Sequence, residues 1–150
     1  MILFIPFLPA QTPGSVTASL YQVISGPAGQ VRDWSMFRSL FAENARLGVS
    51  VRGQVFTFTP DEYVNQATPA FAKEGFFEHE IYRKTEEFGG MVHVWSTYES
   101  RKAPQEAKPF ERGINSILLA QVGNAWKIIN ITWVPESPEF PIPGRYLPSK

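Results

Sequence analysis

In the second half of the chain, apolar and polar positions alternate in four runs, residues 76–88, 91–101, 110–122 and 125–133. Each run is rich in Val, Ile, Tyr, Phe, Trp and Thr, the residues that fit a pleated, half-buried surface. Gly89-Gly90 joins the first pair and Gly123-Asn124 the last, and such dipeptides between alternating runs are a strong hairpin signal. Only residues 102–109 form a long connection. The pattern predicts a long antiparallel sheet, against which any pocket must be built.

The first half switches to helical spacing. Thr12-Pro13 is a cap followed by proline at the first helical position, and Val16, Leu20, Val23 and Ile24 then fall on one face until Gly26-Pro27-Ala28-Gly29 ends the run. Asp33 caps a second helix, in which Trp34, Phe37 and Phe41 form an apolar stripe with Leu40 alongside. Residues 45–51 and 54–58 alternate around Arg52-Gly53 and predict a short hairpin. Thr59-Pro60-Asp61-Glu62 opens a third helix with a capping box, and Tyr63, Ala67, Ala70 and Phe71 supply its buried face. Pro69 should kink or split that helix. The order is helix, helix, short hairpin, helix, then four strands, which is an α+β arrangement.

Composition narrows what such a domain can do. A chain of 150 residues is one domain by length. Lys plus Arg and Asp plus Glu both number 14, so no basic footprint for nucleic acid appears. With no cysteine and only His79 and His93, disulfides, a cysteine nucleophile and a zinc site are all disfavoured, and no cofactor is indicated. Residues 1–11 are an apolar segment, either the remnant of an export signal or an arm on the body, which leaves the protein cytoplasmic or exported. It is too short to span a membrane. The body covers residues 12–134. Residues 135–150 carry five prolines and several large apolar side chains, so this tail should lie extended across the sheet or across a partner subunit.

Four stretches carry a resemblance: Leu40-Phe41-Ala42-Glu43-Asn44-Ala45, Val94-Trp95-Ser96-Thr97-Tyr98-Glu99, Arg112-Gly113-Ile114-Asn115-Ser116-Ile117 and Trp126-Lys127-Ile128. With the order of elements, they resemble the nuclear transport factor 2-like superfamily, in particular its SnoaL-like, ketosteroid isomerase-like bacterial branch of uncharacterised proteins. The resemblance implies a cone-shaped, cystatin-like fold, with three N-terminal helices on a curved, mainly antiparallel sheet. It says little about function, because function lives in sites grafted onto folds. Ketosteroid isomerases of that superfamily carry a general-base aspartate shortly after the motif matching residues 41–45; here Arg46-Leu47-Gly48-Val49-Ser50-Val51 has no carboxylate. The aspartate–histidine arrangement of the polyketide cyclases is missing as well, since no Asp follows Asp61.

Strand registers nominate the pocket. A two-residue Gly89-Gly90 turn puts His79, Ile81, Arg83 and Thr85 on one face with Val92, Val94, Ser96 and Tyr98. This face, with a few polar groups among apolar ones, has the character of a pocket lining. The Gly123-Asn124 turn likewise groups Asn115, Ile117 and Leu119 with Trp126, Ile128, Asn130 and Thr132, which we take as concave. His79 is the general acid/base candidate by titration range, with a half-buried or surface histidine as the alternative. Arg83 could hold an anionic group or pair with a glutamate. Phe37, Phe41, Tyr98, Asn115 and Trp126 complete the expected ligand-binding set. The expected function is to bind a small apolar molecule with one polar end, as a homodimer through the outer sheet face. The alternative is a cofactor-independent isomerase, lyase or cyclase with His79 as its base.

Overall fold

The computed structural model describes residues 10–150. The expectation for the segment before Ala10 therefore lies outside the described residues. Three helices, α1 (Pro13–Ile24), α2 (Trp34–Ser39) and α3 (Pro60–Lys73), accompany six strands. The strands are β1 (Phe41–Val51), β2 (Gln54–Phe58), β3 (Phe77–Phe88), β4 (Met91–Arg101), β5 (Glu111–Val122) and β6 (Ala125–Pro135), in the sheet order β2-β1-β6-β5-β4-β3. All pairs are antiparallel except β1 with β6. The α+β architecture is the one the element order predicts. No helix among the described residues is long and apolar enough to cross a membrane.

The helices start where the caps say. Thr12 and Thr59 each accept from the backbone N–H three residues on, and Ser15 and Glu62 return the bond to close a capping box. Asp33 accepts from Met36 N at 2.9 Å to open α2. Three local expectations change. The aromatic stripe does not stay helical: α2 stops at Ser39, and Phe41 opens β1, packing on Phe37 with ring centroids 4.9 Å apart. In α3, Val64 rather than Ala70 joins Ala67 and Phe71 in the core, and Ala70 is exposed. That helix also runs on through Pro69 without splitting. Pro69 and Asn65, whose carbonyl loses its intrahelical donor, both face outward, where water can replace the bond.

The helices lie on the concave face of the sheet. Val16, Leu20 and Ile24 of α1, Phe37 of α2, and Val64 and Phe71 of α3 meet Val92 and Val94 of β4, Ile117 and Leu119 of β5, and Ile128 and Ile131 of β6. A buried cation ties α1 to this core. Arg32, 4% exposed, donates to Ile24 O, Gly26 O, Pro27 O and Gln30 O, and its guanidinium sits 4.9 Å from the Phe71 ring centre. It thereby satisfies carbonyls left free where α1 ends.

The tail covers part of the opposite face. Arg112 of β5 holds Glu136 through two bonds of 2.8 and 3.1 Å, and Thr97 of β4 donates to Tyr146 O at 2.7 Å. The Tyr146 ring lies against Tyr82 and Trp95.

Two bulges set the geometry that matters for function. Across β3 and β4 the register expected from the Gly89-Gly90 turn runs from Phe88↔Met91 to Tyr82↔Thr97 and then slips, so that Glu80 faces Tyr98 and Ile81 has no partner. Across β5 and β6 the expected register runs from Val122↔Ala125 to Leu119↔Ile128 and then slips past Ile129, so that Leu118 faces Asn130. A bulge turns every residue beyond it to the other face.

Candidate functional site

Between the helices and the concave face lies a cavity of about 320 Å³. Its walls are apolar and heavily aromatic, built by Phe37 (α2), Phe58 (β2), Tyr63 and Phe71 (α3), Phe76 just before β3, and Trp133 (β6), together with Leu20, Ile24, Leu47, Val49, Ala67 and Ile131. The polar lining is short: Tyr63, Gln66, Glu78, Tyr98, Glu111 and Asn115. Among the described residues, no Lys, Arg or His lines it.

Glu78, Tyr98, Glu111 and Asn115 converge from three neighbouring strands. Pairing places Glu78 opposite Ser100, which in turn faces Glu111, while Gly113 stands between Tyr98 and Pro135. The Tyr98 hydroxyl donates to Glu111 Oε1 at 3.0 Å, and Ser100 donates to Glu78 Oε2 at 2.8 Å. Gly113 makes the room: a Cβ there would stand 2.5 Å from both the Tyr98 hydroxyl and the Val134 carbonyl. Burial pushes the Glu78 carboxyl up to about 7, and the nearby Glu111 adds to this, while bonds from Ser100 and Asn115 pull the other way. The Tyr98 phenol is also driven upward, by burial first and then by Glu111 and Glu78, so it stays protonated and able to donate.

Behind the lining runs a buried chain of hydrogen bonds to the sheet edge. Asn115 Nδ2 donates to the Tyr21 hydroxyl at 2.9 Å, Tyr21 meets Ser96 Oγ at 2.7 Å, and Ser96 donates to Glu80. Glu80 is paired with Arg83 at 2.8 Å.

Of the residues nominated from sequence, Phe37, Tyr98 and Asn115 line this cavity. His79 does not. The bulge at Ile81 turns it to the outer face opposite Glu99, with its side chain 56% exposed and Nε2 3.7 Å from Glu99 Oε2, so the expected acid/base candidate is removed from the cavity. The same bulge brings Glu78 in. Arg83 keeps its expected face but is spent on Glu80. Phe41 packs behind Phe37, and Trp126 packs on the core near the β5–β6 turn, its backbone N–H donating to Gln11. The bulge at Ile129 corrects the expected concave set: Ile131 and Trp133 turn inward, while Asn130 and Thr132 leave it. Glu111 was not nominated, although the alternation it shares with Gly113 and Asn115 along one strand points to it. Nothing local marks either bulge, so Glu78 and Trp133 were not legible.

No protein-family model and no curated protein matches the chain. Solved structures do. A Nostoc punctiforme protein of unknown function with a cystatin-like fold superposes with a TM-score of 0.65 at 7% identity, over 85% of this chain and 96% of that one. A nuclear transport factor 2-like protein of unknown function from Pseudomonas putida gives 0.63 at 10% identity, over 81% and 82%. One from Silicibacter pomeroyi gives 0.59 at 12% identity, over 82% and 92%. At these identities the likeness is one of fold. The chain has the cone-shaped nuclear transport factor 2-like, cystatin-like fold.

Proposed function

We propose that the protein binds a small, largely apolar molecule in the cone, with the molecule's one polar end against Glu78, Tyr98, Glu111 and Asn115. The supporting observation is a cavity of about 320 Å³ whose aromatic walls close on a single polar cluster. Binding is tested by following amide shifts of labelled protein during titration with 2-phenylethanol. The expected changes centre on Ala67, Phe71, Tyr98, Asn115 and Trp133, and they disappear in a folded Ala67→Trp variant that fills the space. Changes scattered over the surface, or unaffected by that variant, would overturn the reading.

This reading includes a homodimer through the outer sheet face. It is supported by the apolar groups exposed there on strands and tail together, Ile129, Val134 and Phe140. Sedimentation as a monomer at micromolar concentration would remove it. A second reading, cofactor-independent acid–base catalysis, is favoured by one observation. A carboxyl with a pKa of about 7 beside a cavity can both take and give a proton at neutral pH, and Glu78 is such a group.

A further inference from the structure

The direction of the hydrogen bonds around the cavity specifies the chemistry of its ligand. The Arg83 guanidinium can only donate, so Glu80 accepts from it. Ser96 spends its single proton on Glu80. The Tyr21 hydroxyl, in contact with Ser96 Oγ at 2.7 Å, must then donate to it. Having given its proton away, Tyr21 can only accept from Asn115, which fixes the amide with Nδ2 toward Tyr21. Asn115, 6% exposed, lines the cavity, and its carbonyl Oδ1 accepts no hydrogen bond among the described residues. Tyr98 likewise spends its proton on Glu111.

With Glu78 ionised, the polar end therefore presents acceptors, namely the Asn115 carbonyl, the Tyr98 oxygen and the carboxyl oxygens of Glu78 and Glu111, whereas at lower pH Glu78 keeps a proton that it can donate. Neither carboxyl has a cationic partner among the described residues, and the remaining polar lining groups, Tyr63 and Gln66, are neutral. Aromatic faces surround this cluster, and ring faces attract cations. An anionic ligand would meet like charge and no donor of opposite charge. A neutral hydroxyl would leave most acceptors unmet, which is costly in a dry site.

We propose that the cavity is a site for an organic ammonium, a primary or secondary amine carried on a compact apolar or aromatic body, held by Glu78, Glu111 and Asn115 Oδ1. The inference rests on the binding reading above and adds the class of ligand. Seating an ammonium beside Glu78 favours its carboxylate form, so affinity rises with pH through neutrality. The ionisable groups around Glu78 are Tyr21 from α1, Tyr63 from α3, Tyr98 from β4 and Glu111 from β5, and, across a second opening that Glu78 also borders, His79 of β3, Arg101 of β4 and Glu106. The three phenols are pushed upward and stay neutral, so none of them mimics that dependence.

The test is calorimetric titration with three probes of similar shape, phenethylamine, 2-phenylethanol and 3-phenylpropionate, at pH 6 and pH 8. The expected order is amine, alcohol, acid, with the amine favoured by about tenfold or more over the alcohol at pH 8 and by less at pH 6. In Glu78→Gln and Glu111→Gln the advantage of the amine shrinks while the alcohol still binds, which also shows that these variants are folded. Alcohol binding as tightly as the amine, or acid binding best, overturns the ammonium class and leaves the binding reading standing. No binding of any probe overturns both.

Discussion

His79 stands opposite Glu99 across the β3–β4 ladder, while its neighbour Glu78 stands opposite Ser100 and faces the cavity. With Nε2 and Oε2 3.7 Å apart and the imidazole mostly exposed, the His79–Glu99 pair contributes at most about 1 kcal/mol. His79→Ala should shift the denaturation midpoint only slightly and leave probe binding within about twofold of wild type. A large loss of binding in this variant would show that β3 is not bulged at Ile81.

Glu78 should impose a pH dependence on stability. Its folded pKa of about 7 lies above its ordinary value of 4.5, so the folded state holds a proton that the unfolded chain releases between those values. Stability from this group is fully present below pH 4.5 and is lost as pH rises toward 7, by about 3 kcal/mol in all. Glu136 works in the opposite sense, because the Arg112 guanidinium holds its carboxyl below the usual range, and its contribution fades as pH falls. Urea unfolding of wild type and Glu78→Gln at pH 5 and pH 8 separates the two. The variant should lose the decline between these pH values and be the more stable protein at pH 8.

Gly113→Ala places a methyl carbon against both the Tyr98 hydroxyl and the Val134 carbonyl. Tyr98 can move, but the carbonyl belongs to the paired β6 strand. A cost of about 1–3 kcal/mol is expected, with weakened probe binding because Tyr98 no longer meets Glu111. Adding Tyr98→Phe should restore only part of the stability, since it removes the hydroxyl but leaves the ring carbon Cζ, 2.7 Å from the added Cβ, and the Val134 carbonyl in place. Thermal melts of the single and double variants measure the difference.

Arg32→Met removes four hydrogen bonds to backbone carbonyls at the end of α1 and keeps most of the packing on Phe71. A loss of about 3 kcal/mol or more is expected, since buried carbonyls are left without donors. Arg32→Lys should recover little, because one ammonium cannot span the fork that reaches Ile24, Gly26 and Gln30 together. Denaturant midpoints report both variants.

How far the sequence could be read follows the backbone. Helix starts were legible because each is written in one short motif: Thr12-Pro13, Asp33, and Thr59 through Glu62. Hairpin registers were legible next to their turns, where Phe88 meets Met91 and Val122 meets Ala125. They failed farther along, at Ile81 and Ile129. Each of these is an isoleucine in a strand-like run, with no glycine or proline to mark it. A bulge is decided by how a long strand twists against its neighbours and by what must be covered, which is tertiary information. The site followed the same rule. Phe37 sits on a helix, and Tyr98 and Asn115 sit on β4 and β5, whose mutual register has no slip, so they kept their faces and line the cavity, whereas the extra residues in β3 and β6 turned His79 outward and Trp133 inward.

The Glu80–Arg83 pair touches no part of the cavity, yet it sets the hydrogen-bond polarity of a chain three groups long that ends there. In Glu80→Gln the new amide can donate to Ser96, letting Ser96, Tyr21 and Asn115 all reverse and turn an N–H toward the ligand. Two chains identical at every lining position could then prefer ligands of opposite hydrogen-bonding character. A ranking of relatives by pocket residues alone would group them together. Selectivity in this cone is written partly at the sheet edge, where a change leaves the shape of the cavity untouched.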